Sequence, residues 1–296
     1  MNIQKSFAET KAGTLYLVGT PIGNLEDMTF RAVRILKEAA IIAAEDTRQT
    51  RKLLNHYEIG GRLVSYHEHN KTASGPELVR LMEEGQSVAL VSDAGMPAIS
   101  DPGYDLALLA IEAGISVVPI PGANAALAAL VTSGLPTDRF LFAGFLPREK
   151  RKRETELAAL AGVPATLLFY ESPHRIVKTL EAMQEAWGDR QAALVREITK
   201  RHEEAARGTL PELIGFLAEH PPLGEYVIVV ERRGSSSALL GELGQDGLGL
   251  WWQTMTVQEH VAHYEGEGLN RKDAMKRAAT DRGVSKRDVY QILLES

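Results

Sequence analysis

The chain has 296 residues, 44% hydrophobic and 24% charged, with a formal charge of −6; these are the proportions of an ordinary globular protein long enough for two domains. It has no cysteine, which excludes disulfides, thiolate zinc sites and cysteine catalysis. No apolar run reaches the roughly 18 residues of a membrane span, and the polar start MNIQKSFAETKAG lacks the apolar core of a signal peptide, so the expectation is a cytoplasmic protein without membrane contact.

From residue 13 to 119 short apolar runs alternate with helical periodicity. TLYLV, IIAA, RLVSYH, SVALV and ISVVPI read as strands, and TFRAVRILKEAA, TRQTRKLLNHY, ELVRLMEE and YDLALLAIEAG as helices. This alternation predicts an α/β domain with a mostly parallel sheet and helices on its faces. Pro119-Ile120-Pro121-Gly122 breaks the pattern and opens a second α/β domain over residues 120–233. FLFAGF, ATLLFYE, QAALVRE, EEAARG and EYVIVVE are its strands, with helices near 123–133, 150–161, 174–187 and 210–219. Only TKRH separates QAALVREI from EEAARG, too little for a crossover helix, so the second sheet is expected to be mixed. Residues 234–249, rich in Gly and Ser, read as a linker. Residues 250–296 read as a small helical domain. Its helices start at Thr256, Lys272 and Ser285, and a Gly-containing turn precedes a basic helix in helix-turn-helix fashion.

The strand SVALV runs into Ser92-Asp93-Ala94-Gly95-Met96-Pro97-Ala98-Ile99-Ser100-Asp101-Pro102-Gly103, and a helix follows. In an open α/β sheet this is the strand end that presents backbone and carboxylates to a ligand. Ala94 and Gly95 admit close approach to the main chain. Asp93 and Asp101 can accept from a ribose or hold a cation, although Asp101, preceding Pro102 at a helix start, reads first as a cap.

Gly19-Thr20-Pro21-Ile22-Gly23-Asn24 is neither GxGxxG nor a P-loop; it reads as a turn that leaves room at the first strand end. In Glu45-Asp46-Thr47-Arg48 a helix cap and a cleft carboxylate beside an arginine are compatible readings. His67 and His69 would share one face of a strand, but with no third ligand at short spacing no metal is expected. Ser172-Pro173 suits a helix start. Arg175 can pair with a phosphate or with Glu171. Phe169 and Tyr170 offer apolar and stacking surface, and on the residues alone Phe169 reads first as core. Lys200 and Arg201 point to a phosphate or to a surface loop.

Basic residues cluster twice on this acidic chain: Arg148, Lys150, Arg151, Lys152 and Arg153, and later Lys272, Lys276, Arg277, Lys286 and Arg287. Local basic patches on an acidic body suit a protein that grips phosphates at chosen places.

The stretch SDAGMPAISDPG resembles the methyl-donor loop of the tetrapyrrole methylase superfamily, in particular its branch acting on ribosomal RNA. Four further segments fit in order: LVGTPIGNL (17–25), AEDTR (44–48), PIPGANA (119–125) and FYESPHR (169–175). Met96 departs from the pattern, which expects a small hydroxyl residue there.

The resemblance implies an S-adenosylmethionine-dependent transfer to the ribose 2′-hydroxyl of a cytidine in small-subunit ribosomal RNA, by a homodimer with the donor in a cleft between two α/β domains. DNA, lacking the hydroxyl, is excluded as substrate. The implied donor site takes in Pro21, Gly23, Asp93, Ala94, Gly95, Ile99, Ser100, Asp101, Pro121, Gly122, Phe169, Tyr170, Glu197, Gly208 and Thr209, the last three from two stretches that wrap the adenosine. Asp46, His67 and Asp93 are the bases available to the ribose hydroxyl, unranked by sequence. Arg48, Arg175, Lys200 and the two basic clusters are the expected RNA contacts. Three competing readings are a tetrapyrrole methyltransferase on the same scaffold, a non-catalytic RNA-binding protein, and a nicotinamide oxidoreductase that the missing glycine fingerprint disfavours.

Overall fold

The computed structural model describes residues 3–4, 11–232, 255–266, 268–282 and 284–294. The expected linker at 234–249 and residues 250–254 lie outside the described residues. The chain divides into two compact units, Met1–Arg233 and Gly234–Ser296.

The larger unit holds two five-stranded sheets. The first is built from β1 (Thr14–Val18), β2 (Ile41–Ala44), β3 (Arg62–Ser65), β4 (Val88–Val91) and β5 (Ser116–Ile120) in the order β3-β2-β4-β1-β5. All four pairings are parallel, as strand–helix alternation requires. The crossovers are α1 (Phe30–Glu38), α2 (Thr47–His56), α3 (Lys71–Glu83) and α4 (Tyr104–Glu112). Period-two alternation sends Leu15, Ile41, Ala43, Val88 and Leu90 into one apolar layer, and Val18, Ile42, Ala44, Ala89 and Val91 into the other.

Two local features differ from the sequence reading. Helix α3 starts at Lys71, ahead of Gly75 and Pro76, with Lys71 paired to Glu68 and Asp105. Strand β3 ends at Ser65, so His67 and His69 lie in a turn, not on a strand face. The His67 N–H donates to Asn70 Oδ1 at 2.8 Å, and the two rings are 6.0 Å apart, edge to face.

The second sheet comprises β6 (Phe140–Phe145), β7 (Thr166–Glu171), β8 (Gln191–Arg196), β9 (Glu204–Thr209) and β10 (Tyr226–Val230) in the order β6-β7-β10-β8-β9. Only β6–β7 is parallel; the other pairs are antiparallel. Helix α5 (Ala125–Ser133), capped by Asn124, covers one face. The helices α6 (Lys150–Leu160), α7 (Ile176–Trp187) and α8 (Leu210–Glu219) cover the other. The N-terminus of α8 carries a capping box between Thr209 and Glu212.

The smaller unit shows α9 (Val257–Gly266), α10 (Arg271–Asp281) and α11 (Lys286–Leu294), packed around Val261, Tyr264, Ala274, Ala278 and Val289. An internal polar site is centred on His260, which is fully buried. His260 Nδ1 accepts from Arg282 Nε at 3.0 Å, and Nε2 faces Asp281 at 3.3 Å. Burial, then the Arg282 charge, pushes the His260 pKa down. The unfolded chain therefore takes the proton first as pH falls through about 6.5, and stability falls with it. The expected result in the full chain is a lower opening free energy for α9–α11 amides at pH 5.5 than at 7.5 by hydrogen exchange. The same drop in His260→Phe would show that another group titrates. Among the described residues no helix is long and apolar enough to cross a membrane.

Candidate functional site

In a parallel sheet every strand points the same way, so the loops after β1, β2, β3, β4 and β5 gather at one edge. The loops after β1 and β4 are sewn together there. The Thr20 N–H donates to Gly95 O at 2.8 Å and the Gly95 N–H returns to Thr20 O at 3.1 Å. Thr20 Oγ1 also reaches Ser92 O and Gly95 O, both at 3.3 Å. Gly95 holds φ +78°, a left-handed conformation open to glycine. Gly19 and Gly122 bring the β1 and β5 loops into backbone contact: a Cβ on Gly19 would lie 2.8 Å from the Gly122 Cα and N.

Two hollows border these loops. The first, about 250 Å³, is lined by Ile22, Ala94, Gly95, Met96, Ile99, Ser100 and Asp101 from the first-sheet side. Asn124, Ala125, Phe145, Tyr170, Glu171, Ser172, Glu197, Ile198, Lys200, Glu225, Tyr226 and Val227 complete it from the second-sheet side. The second, about 390 Å³, is lined by Thr20, Pro21, Gly23, Leu25, Gln49, Thr50, Lys52, Leu53, Ser92 and Asp93. Neighbouring residues of the same loops thus serve different hollows: Ile22, Ala94 and Gly95 the first, Pro21, Gly23 and Asp93 the second.

Of the expected donor residues, Ala94, Gly95, Ile99, Ser100, Asp101, Tyr170 and Glu197 converge on the first hollow. Others do not. Phe169 is fully buried in the core against Trp187, 6.0 Å between ring centroids; adjacent strand residues face opposite ways. Tyr170, its neighbour, faces the hollow, with Phe142 and Phe145 edge-on to it at 4.9 and 5.6 Å. Gly208 and Thr209 pair with Ala192 and Gln191, at the end of β9 remote from the hollow, and Thr209 is spent on capping α8. Pro121 and Gly122 line neither hollow. Asp101 does not cap α4, whose N-cap is Gly103.

Carboxylates crowd the edge between the hollows. Asp93 Oδ1 accepts from the Asp46 N–H at 3.1 Å. Asp46 in turn accepts from the Arg48 backbone N–H at 2.8 Å and takes its guanidinium in two bonds of 3.0 and 2.7 Å. Those bonds hold the Asp46 pKa down at about 2, which makes it a weak base. Glu45, which the sequence reading left without a role, is pushed up by burial and then by Asp101 and Asp93; Asp101 is pushed up by burial and by Asp93. His67 lines neither hollow, and its buried Nδ1 has no hydrogen-bond partner among the described residues.

Glu171 was also missed as a wall residue. It is buried at 2% exposure, with Oε2 accepting from Thr179 Oγ1 at 2.7 Å and Oε1 from the Ser172 N–H at 2.8 Å. Ser172 therefore caps no helix by its side chain; a turn over 172–175 leads into α7, which starts at Ile176.

Two expected RNA contacts are engaged internally. Arg175 donates to Leu146 O at 2.8 Å and stands 3.5 Å from Glu171. Lys200 Nζ is 2.9 Å from Glu197 and 3.7 Å from Glu225, and that bond lowers the Glu197 pKa. Arg48 is solvent-exposed but bound to Asp46. The first basic cluster opens α6, with Arg148, Lys150, Arg151 and Lys152 exposed, while Arg153 is half-buried and donates to Arg148 O. In the smaller unit Lys272 and Lys276 are exposed on α10, with Arg277 beside them, and Lys286 is half-buried at the start of α11; the Arg287 side chain lies outside the described residues.

Comparison with known proteins agrees with this arrangement. Residues 14–214 match the tetrapyrrole (corrin/porphyrin) methylases. The chain is 53% identical over 293 residues, 99% of both chains, to the ribosomal RNA small subunit methyltransferase I of Halalkalibacterium halodurans. It is 51% identical over 288 residues, 97% of this chain and 96% of the other, to the protein of that name from Bacillus subtilis. Among solved structures, the uroporphyrin-III-C-methyltransferase of Thermus thermophilus superposes with a TM-score of 0.52 at 26% identity, covering 78% of this chain and 98% of that one. Family match, near full-length identity and a shared two-sheet fold agree: this chain belongs to the tetrapyrrole methylase family.

Proposed function

We propose that the chain transfers a methyl group from S-adenosylmethionine to the ribose 2′-hydroxyl of a cytidine in small-subunit ribosomal RNA. The observation that carries this reading is the pair of hollows on shared loops: one apolar and flanked by carboxylates, the other holding Asp93. The first fits the donor. Aromatic and aliphatic groups at Tyr170, Phe145 and Ile99 suit an adenosine, and the Asp101 carboxylate suits a cationic group. When bound, S-adenosylmethionine supplies an electrophilic methyl on a sulfonium.

The second hollow takes the acceptor ribose. Asp93 is the base we assign, because it alone of the three expected bases lines this hollow without an arginine clamped on its oxygens. Its carboxylate orients the hydroxyl and receives its proton as the oxygen attacks. Holding oxygen and methyl in line supplies the rest of the rate. The cytosine leaves its stack for the ribose to enter. The names of the relatives support the ribosomal substrate; the homodimer and the cytoplasmic location follow the family resemblance. We read residues 13–119 and 120–233 as the two halves of the cleft, and 250–296 as an accessory domain.

The test is methyl transfer from labelled S-adenosylmethionine to small subunits that lack the modification. Label recovered as 2′-O-methylcytidine is expected. Label found in a tetrapyrrole precursor and absent from RNA would select the other activity of this scaffold.

The neighbours Phe169 and Tyr170 separate binding from folding. Tyr170→Ala is expected to weaken donor binding about tenfold, on the scale of about 1–3 kcal/mol for one aromatic–base contact, with a smaller loss of stability than Phe169→Ala because Tyr170 is only half-buried. Phe169→Ala is expected to cost about 3–5 kcal/mol in unfolding free energy as a core cavity. Calorimetric titration and denaturant melts of both variants check the pair; equal loss of donor affinity per unit of lost stability would return both residues to the core.

A further inference from the structure

Helix α6 begins against its own electrostatics. Its first turn reads Lys150-Arg151-Lys152-Arg153 and contains no acidic residue, although the N-terminal end of a helix is its positive pole and favours anions. The N-cap Glu149 makes no capping bond. Two of the cations are matched: Lys152 reaches Glu149 at 2.9 Å and Lys150 reaches Glu154 at 3.6 Å. Arg148 and Arg151 are exposed, and among the described residues no carboxylate pairs with either. The helix has almost no apolar face, burying only Leu157 fully, so packing does not demand these residues either.

The position of the turn matters as much as its charge. Phe145, at the end of β6, lines the first hollow, and Leu146 O is held by Arg175, which also stands beside the buried Glu171 of that hollow. The basic turn therefore starts a few residues from the cavity wall, on a segment fixed to it.

We infer that Arg148 and Arg151, at the start of α6, form a phosphate-gripping surface that holds the RNA backbone beside the catalytic cleft. The inference rests on the RNA reading above and assigns it a place. Guanidinium groups take phosphate oxygens in forked pairs; such contacts fix register and carry no sequence information. Each phosphate neutralised releases counterions, so affinity falls with salt by a slope of about one per contact. An anion at this turn also satisfies the helix pole that the sequence leaves unfavourably charged.

The experiment compares the full chain with Arg148→Glu, Arg151→Glu and the double variant in binding small-subunit RNA across a salt series, alongside melting temperature and donor affinity. The expected result for the double variant is RNA affinity at least tenfold weaker and a log–log salt slope smaller by about two, with donor affinity unchanged. Arg151→Glu should melt no lower than wild type, because an acidic residue in the first turn suits the helix pole. Wild-type slope and affinity in the double variant would overturn the surface, as would a wild-type chain that binds no RNA. A melting temperature that falls together with donor affinity would make the cluster structural and overturn it as well. If the salt slope changes as expected but the wild type transfers no methyl group to RNA, the surface stands and the methyltransferase reading of the cleft fails.

Discussion

Asp93→Asn is expected to lower the rate of methyl transfer by about two to four orders of magnitude, the usual contribution of a positioned general base, while donor affinity changes by less than about threefold. The asparagine keeps the shape of the side chain, and its amide oxygen can still accept from the Asp46 N–H, the one bond Asp93 Oδ1 makes to the neighbouring loop. What disappears is the charge that receives the ribose proton. The comparison that isolates this is Asp46→Asn. Asp46 is clamped by Arg48 and its pKa is held near 2, so its oxygens are poor proton acceptors. Asparagine caps a helix as well as aspartate does, so this change should leave the start of α2, capped by residue 46, in place, lose the ion pair to Arg48, and slow transfer far less than the Asp93 change. His67→Gln is expected to be close to wild type in rate, since His67 lines neither hollow. Single-turnover rates with saturating donor read all three. A larger loss for Asp46→Asn than for Asp93→Asn would move the base to Asp46 and redraw the acceptor hollow around it.

The fold was readable where the signal is local. Strand–helix alternation predicts the parallel sheet, and the short TKRH spacer predicts the antiparallel β8–β9 pair. The loop from Ser92 to Asp101 is legible from composition as a ligand-facing strand end, with small residues and aspartates after an apolar strand, and its donor-loop reading comes from the family resemblance. What sequence could not supply was the direction and facing of the second sheet. FYES offers two adjacent aromatics, and period two guarantees that one faces the core, but only the packing of α7 and Trp187 decides that it is Phe169. Gly208 and Thr209 lie close in sequence to Glu197, yet the antiparallel reversal carries them to the other end of the sheet. Of the two partners open to Arg175 the structure supplies Glu171, and it adds Leu146 O and Pro147 O from a distant segment that sequence could not show; Lys200 pairs with Glu197, which the resemblance assigns to the donor, and with the distant Glu225. Glu45 was hidden by its neighbour: the capping logic explained Asp46 and drew the eye from the carboxylate that the structure places among Asp93 and Asp101.

Gly19→Ala is expected to reduce both stability and donor binding, although Gly19 lines neither hollow. Its added Cβ would sit 2.8 Å from the Gly122 Cα and N and 2.9 Å from the Met96 Sδ. The sulfur can swing away on a flexible side chain. The Gly122 backbone cannot, because the Gly19 N–H is bonded to Ile120 O at 3.0 Å and the next residue, Thr20, is bonded to Gly95 on its other side. Overpacking of this kind costs about 1–3 kcal/mol, which for a body of this size lowers the melting temperature by about 2–4 °C per kcal/mol. The strain is relieved by parting the β1 and β5 loops, and that moves Asn124 and Ala125, which line the donor hollow. Donor affinity is therefore expected to fall at least tenfold. Gly162→Ala, where an added Cβ meets nothing within 4 Å, serves as the control and should stay within about 0.5 kcal/mol of wild type. Met96→Ala in the Gly19→Ala background decides the cause. Restored stability and binding would trace the clash to the sulfur and remove the argument for loop-to-loop contact. Persistent loss would show that the glycine pair itself, one from each loop, sets the spacing on which the donor hollow depends.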